Sequence, residues 1–400
     1  MKVTMKYEAL VETLTSMAVV VEDSLNSEDM KSVIFMITKD KKVKLVGMNQ
    51  MIVYRVHMPE DSYEVEAADT DFSEKGVFYL QVKSKELTGF LSTFKSVRRT
   101  KVSDTILELE GNKIKLTVVE ESIDTGDFYR SAWRFDNIAI KQAVLKSIDV
   151  EMPKDAEQME TLPLQLYTSC LLPILQNTTS MNGMMQFGAD IKDDDGNLIT
   201  PSKVAAFTPT FNTLMNNHLP EQFRGISFYY RAVMFFKGVI CMHDYVRVAR
   251  TDQYMCFEDE GNFEAFVRYL TKVADYRPYI DMFDKSHAIM LDRQYLKDVL
   301  KRLSLVDEQI TISIDEALEF ISVSNSKFAQ EIPILKEKNM EELDKVTFKI
   351  KPEVLERAII GDDAQFSSCV FLYITAQERG GWTLVFSDDT GAWFSVARIR

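Results

Sequence analysis

Apolar residues recur along the chain in two alternating rhythms. A stretch with a period of three to four residues is followed by short stretches that alternate every second residue, and this order returns about six times. The first helical stretch covers 7–19, with Leu10, Leu14 and Met17 on one face, and strands follow at 33–37, 42–47 and 51–57. The second covers 83–94, with Leu87, Phe90, Leu91 and Phe94 at helical spacing. Its strands fall at 105–109, 113–119 and 129–135, the first two joined by the hairpin signal Glu110-Gly111-Asn112. A third helix at 164–176 contains Pro173, which predicts a kink or a shortened helix, and strands at 184–191, 204–207 and 211–215. The fourth helix, 229–240, precedes strands at 245–249, 254–258 and 263–269. The fifth, 292–303, precedes 309–314, 318–323 and 327–334. The sixth, 352–360, opens on Pro352 and precedes 368–374, 382–386 and 393–399.

Six copies of one helix-plus-strands unit predict an α+β protein of three domains, each of two units. The expected domains are 1–155, 156–280 and 281–400, with an extra helical segment at about 136–160 in the first linker. An α+β protein without internal symmetry is the competing reading. Composition fits either, since 46% hydrophobic residues, 10 prolines and 15 glycines describe a globular chain. The N-terminus shows no apolar signal core, and no apolar run has the length of a membrane span. The four cysteines lack CxxC spacing, which predicts neither a zinc site nor a disulfide framework and fits a reducing cytoplasm.

Charge changes the picture. The formal net charge is −14, which by itself opposes binding to nucleic acid. Its placement is uneven, however. Lys83, Lys85, Lys95, Arg98, Arg99 and Lys101 cluster on and after the second helix against the single acid Glu86. The fourth helix carries Arg231 and Lys237, and the fifth Arg293, Lys297, Lys301 and Arg302, three of them at four-residue spacing. The sixth adds Lys351 and Arg357, and the linker helix Lys141 and Lys146. Acids gather in strands and loops, as at 64–71 and 120–127. Basic helices in an otherwise acidic protein would hold a duplex loosely by its phosphates, without reading bases. Ordinary solvated helix faces are the alternative reading of the same residues.

Catalytic chemistry is not legible. His57, His218, His243 and His287 are scattered, and His243-Asp244 reads as a helix-end cap. Asp193-Asp194-Asp195-Gly196-Asn197 has Ile191 where a calcium loop needs its first acid, so it reads as a hairpin turn. Phosphate-binding, dinucleotide-binding and nucleophile-elbow motifs are missing, so no enzyme, cofactor or metal is expected.

The order of parts resembles the bacterial DNA polymerase III β subunit family, the three-domain sliding clamps. The resemblance rests on Met1-Lys2-Val3-Thr4 with Leu10 and Leu14, on Leu162-Pro163 before a helix, and on Ala274-Asp275-Tyr276-Arg277-Pro278-Tyr279. It continues through Leu291-Asp292-Arg293, Leu303-Ser304-Leu305, Ile321-Ser322-Val323-Ser324-Asn325 and the terminal 396–400. It implies a ring of two head-to-tail chains around double-stranded DNA, a homodimer lined by helices, that tethers the replicative polymerase and is placed by a clamp loader. It also implies a hydrophobic pocket for partner peptides from Met185, Phe187, Thr208, Thr210, Phe211, Leu214, Tyr279, Val396 and Arg398. Pro209-Thr210-Phe211 and the tail depart from the family pattern, as in a divergent, phage-encoded member. A structural or assembly protein of repeated α+β modules is the alternative function.

Overall fold

The computed structural model describes the chain outside 23–26, 28–29, 95–99, 177–182, 189–190, 193–194, 197, 201–202, 209–210, 217–220, 272–286, 306–308, 315–318, 339–345, 360–367, 377–380, 388–392 and 400. For 173–174, 176, 191–192, 198–200, 207–208, 211–216, 304, 337–338, 357–358 and 393–399 it describes the backbone. Helices run at α1 (Tyr7–Val21), α2 (Ser84–Ser92), α3 (Gln142–Ile148), α4 (Leu162–Gln176), α5 (Tyr230–Gly238), α6 (Arg293–Ser304) and α7 (Pro352–Ala358). The expected helices and most of the strands that follow them are present within a few residues.

Periodicity alone misses the strand that leads into each repeated helix. Lys2–Lys6 enters α1, Val77–Lys83 enters α2, Glu157–Glu160 enters α4, Ile226–Tyr229 enters α5, His287–Asp292 enters α6 and Val346–Ile350 enters α7. The junction is one extended residue: Lys6 (φ −60°, ψ 131°), Lys83 (φ −63°, ψ 127°), Asp292 (φ −67°, ψ 121°) and Lys351 (φ −75°, ψ 131°) share it. Asp292 also caps its helix, its carboxylate accepting from the Tyr295 N–H at 2.7 Å.

The chain divides into two compact units. The first, Met1–Thr161 with Gly238–Arg268, holds two sheets. A five-stranded sheet has the order Tyr63–Glu66, Lys2–Lys6, Thr100–Glu110, Lys113–Ser122, Phe128–Asp136. An eight-stranded sheet has the order Glu157–Glu160, Tyr245–Arg250, Tyr254–Asp259, Phe263–Arg268, Ile52–His57, Val43–Met48, Ser32–Thr38, Val77–Lys83.

The second unit, Leu162–Lys237 with Tyr269–Arg400, contains a nine-stranded and a four-stranded sheet. The larger has the order Ile226–Tyr229, Met184–Phe187, Lys203–Thr208, Phe211–Asn216, Trp393–Ile399, Trp382–Ser387, Cys369–Ala376, His287–Asp292, Lys336–Lys338. The smaller runs Ala329–Pro333, Phe320–Ser324, Ile310–Ile314, Val346–Ile350. A separate two-stranded ribbon pairs Ile191–Lys192 with Leu198–Thr200, with Gly196 at φ 85° between them. This is the hairpin expected of the Asp193–Asn197 region.

One rule generates these orders. The three strands after each helix form a meander, and the strand leading into the helix joins the meander of the neighbouring repeat. Thus Lys2–Lys6 pairs with Thr100–Glu110, while Val77–Lys83 pairs with Ser32–Thr38. The same exchange links Glu157–Glu160 to Tyr245–Arg250 and Ile226–Tyr229 to Met184–Phe187. It links His287–Asp292 to Cys369–Ala376 and Val346–Ile350 to Ile310–Ile314 as well.

Helix α1 buries Leu10, Leu14, Met17, Val20 and Val21 against the eight-stranded sheet. Gly47 permits that approach: a Cβ there would lie 2.5 Å from Val21 Cγ2 and 2.9 Å from Met17 Cε. In the hairpin at Gly111, φ is 63°, which glycine adopts without strain. Pro173 lies inside α4 and does not shorten it. The helix continues to Gln176, with Leu171, Leu172 and Leu175 buried on both sides of the proline. Packing there outweighs the loss of one backbone donor. Among the described residues no helix is long and apolar enough to cross a membrane.

Candidate nucleic-acid interface

The basic residues expected to face DNA stand on several of the repeated helices. Lys83 is the junction residue before α2 and is exposed, its Nζ 3.6 Å from Glu86 Oε1, and Lys85 is exposed one residue into that helix. Lys101 is exposed on the strand Thr100–Glu110. On α5, Arg231 is half-buried and Lys237 exposed in the last turn. On α6, Lys297 is half-buried while Lys301 and Arg302 are exposed, and Arg302 Nη1 donates to Gln330 Oε1 at 3.5 Å. Lys351 is exposed at the junction before α7. Lys95, Arg98 and Arg99 lie outside the described residues, as does the side chain of Arg357.

Arg293 corrects the expected basic face of α6. Its side chain is 3% exposed, because it lies at positions i, i+3, i+7 and i+10 with the buried Leu296, Leu300 and Leu303. The four-residue spacing to Lys297 suggested a shared exposed face, but the apolar stripe runs through Arg293. Lys6 was missed. It occupies the same strand-to-helix junction before α1 as Lys83 and Lys351 do before their helices, and it is exposed, 3.3 Å from Asp61. Aligning the repeats on their leading strands would have found it. Helix α1 otherwise exposes Glu8 and Glu12, and α4 carries no charge at all.

The expected peptide pocket is only partly assembled by the backbone. The strands carrying Met185, Phe187, Thr208, Phe211, Leu214, Val396 and Arg398 all belong to the nine-stranded sheet. Thr208 pairs with Phe211, Phe211 with Ala397, Leu214 with Phe394 and Val396 with Asn212. Met185 and Phe187, however, are 0% and 1% exposed. The Phe187 ring lies 5.2 Å from Phe223 and 5.8 Å from Phe228, which in turn meets Phe236 at 4.8 Å. These two side chains are core, not surface that a peptide can touch. Thr210 and Tyr279 lie outside the described residues.

A cluster of buried charge lies elsewhere, on the eight-stranded sheet. Glu264 pairs directly with Arg55 across the junction of Phe263–Arg268 and Ile52–His57, and Lys44 stands opposite His57 on the next strand. Glu264 Oε2 accepts from Arg55 Nη1 at 2.6 Å and Oε1 from Lys44 Nζ at 3.0 Å, with His57 Nε2 at 3.5 Å. Burial works to raise the Glu264 carboxyl. The contact with His57 and the charges of Arg55 and Lys44 outweigh it and hold the group well below the usual carboxylate range. His243 pairs not with Asp244 but with Asp259, at 2.9 Å from Nδ1, with its ring 5.0 Å from Phe263. Among the described residues no cluster of histidine, cysteine and acid side chains could hold a metal.

No family model matches the chain, and no curated protein matches it in sequence. Solved structures do match in shape. The DNA polymerase III β chain of Streptococcus pneumoniae superposes with a TM-score of 0.69 at 15% identity, covering 100% of this chain and 99% of that one. The Bacillus subtilis DNA polymerase sliding clamp gives 0.68 at 13%, covering 100% and 99%. The Helicobacter pylori β clamp, bound to a DNA ligase peptide, gives 0.67 at 11%, covering 100% of both chains. A likeness at such identity is one of fold, and from end to end this chain has the α+β fold of the DNA polymerase III β subunit sliding clamps.

Proposed function

We propose that this protein is a divergent member of the β subunit family, a sliding clamp whose homodimeric ring encircles double-stranded DNA. One observation carries the reading. Inside each unit, two meanders merge by pairing their third strands: Ile52–His57 with Phe263–Arg268, and Phe211–Asn216 with Trp393–Ile399. Among the described residues, two meanders have no such counterpart in their sheets and end on third strands, Phe128–Asp136 and Ala329–Pro333. Applied between two copies, the same joining rule pairs these two edges head to tail and closes a ring, with the three expected domains of each chain making six.

Exposed apolar side chains gather at these edges, which supports the reading. Phe128, Tyr129 and Trp133 are exposed on the first edge strand, and Phe320, Phe328 and Leu335 flank the second. A ring that is topologically linked to the duplex needs only weak phosphate contacts. The exposed Lys83, Lys85, Lys101, Lys237, Lys301, Arg302 and Lys351 would supply them. Lys6, Arg231 and Lys297, and the side chains of Lys95, Arg98, Arg99 and Arg357, belong to the same proposal. In this role the chain tethers the replicative polymerase and is placed by a clamp loader, and it performs no catalysis itself. Partner peptides would dock near Thr208, Thr210, Phe211, Leu214, Tyr279, Val396 and Arg398.

The test is retention after loading. The protein should remain on closed circular DNA at moderate salt and be lost when the circle is cut, and Trp133→Glu should turn the dimer into a monomer that is never retained. Equal retention on linear DNA, or a monomer for the unaltered chain at micromolar concentration, overturns the proposal.

A further inference from the structure

The linker after the first five-stranded sheet crosses the whole width of the eight-stranded sheet. It begins at one edge, where the Ile138 N–H donates to the Gln81 carbonyl of Val77–Lys83 at 3.1 Å. It ends at the opposite edge as Glu157–Glu160, paired with Tyr245–Arg250. Between them, α3 and its flanks pack Ile140, Val144, Leu145, Ile148, Val150 and Met152 on the sheet residues Ile34, Val46, Met48, Val53, Cys256 and Phe266. This is the face opposite α1, because Gly47 points at α1 while Val46 and Met48, one residue to either side, point away.

The crossing passes over the place where the two meanders merge, and Arg55 lies beneath it. Nη2 of Arg55 donates to the carbonyls of Ile148, at 2.6 Å, and Val150, while Nη1 donates to Glu264 across the merge. The guanidinium also stands 4.8 Å over the Phe266 ring. Ile148 is the last residue of α3, so the cation sits where the helix leaves its final carbonyls unpaired. The fork of an arginine can meet a carboxylate and two carbonyls together; an ammonium cannot match that geometry. Lys75 adds an exposed contact to Asp149 on the same turn.

We propose that residues 138–156 form a strap across the merged sheet, latched by Arg55 acting as a positioning residue, and that the strap splints the pairing of Ile52–His57 with Phe263–Arg268. Because the latch binds one group on the far strand and two on the strap, freeing the strap removes the only covering that spans both meanders on this face among the described residues. The strap and its latch stand whether or not the chain encircles DNA.

The chain carries its own reporter. Cys256 is fully buried under the strap, and burial pushes its thiol up to about 12, whereas Cys170, Cys241 and Cys369 are partly exposed. Alkylation by iodoacetamide, mapped on each cysteine by mass spectrometry, reads the strap directly. In Arg55→Met, Cys256 should react about tenfold faster or more while the other three cysteines keep their rates. Arg55→Lys should behave like Arg55→Met. Leu145→Asp, which leaves the latch intact but disrupts the packed face of α3, should also release Cys256. Unchanged Cys256 in Arg55→Met or Leu145→Asp overturns the proposal. So does an equal acceleration of Cys241, the other cysteine of the first unit, which would make Arg55 a support of the whole unit, or wild-type protection in Arg55→Lys.

Discussion

The two merged sheets join their halves by the same antiparallel pairing but with different chemistry. In the eight-stranded sheet the junction sets Glu264 against Arg55, with Lys44 and His57 on the adjoining pair. In the nine-stranded sheet the corresponding junction pairs Phe211 with Ala397, Asn212 with Val396, Thr213 with Ser395, Leu214 with Phe394 and Met215 with Trp393, and none of these paired residues is charged. The described pairs of the second junction join two meanders without opposing charges. Burying an ion pair is expensive, so its use must lie in something other than raw stability. Register is one answer: a two-residue slip would set Arg55 against Asn262 or Phe266, and a one-residue slip would turn it to the other face. The strap is the other, since the same guanidinium seats it.

Neutralising the charged junction should have the largest effect. Glu264→Gln leaves Arg55 and Lys44 buried without their carboxylate and should cost the first unit about 3–5 kcal/mol, with the second unit unchanged. Denaturant unfolding followed by hydrogen exchange in each unit checks this. The double variant Arg55→Met/Glu264→Leu should regain most of that loss, coming within about 1 kcal/mol of wild type. The pH dependence has a definite sign. The folded carboxyl of Glu264 titrates below its unfolded counterpart, so its contribution is complete above about pH 4.3 and disappears as pH falls through the lower folded value. Acid unfolding should therefore be shallower in Glu264→Gln than in wild type.

A smaller effect is expected on the uncharged side of the same sheet. Gly47→Val would push a side chain into Val21 and Met17 and should cost about 1–3 kcal/mol, without altering the acid profile. If the profile changes too, the two faces are coupled and the contrast between the junctions is blurred. Smallest is Asp292→Ala in the second unit, which removes the cap of α6 and should cost about 1 kcal/mol there alone, read as a lower midpoint for that unit.

The sequence announces the helices and the meanders because their periods are long enough to show. The leading strands escape for a physical reason: four to seven residues that run into a helix through one extended residue carry no turn signal to mark them. Their pairing partners lie far away, so the exchange of strands between repeats is not a local property. The extra segment at 136–160 is legible as helical, and α3 lies within it, but its passage over a sheet is not. Site residues divide in the same way. The exposure of candidates such as Lys85 and Lys301 is readable from charge, whereas Arg293 shows that charge alone does not say which stripe of a helix a residue occupies. The burial of Met185 and Phe187 follows from a sheet whose strands come from both ends of the second unit.

Joining third strands also sets a timetable for synthesis. The five-stranded sheet is complete once Asp136 has emerged, but Ile52–His57 must wait for Phe263–Arg268, about two hundred residues later. At the usual pace of translation that is roughly 10–40 s with an unsatisfied strand edge on the nascent chain. Slowing the ribosome between codons 60 and 260 should therefore lower the soluble yield more than the same delay placed after codon 270.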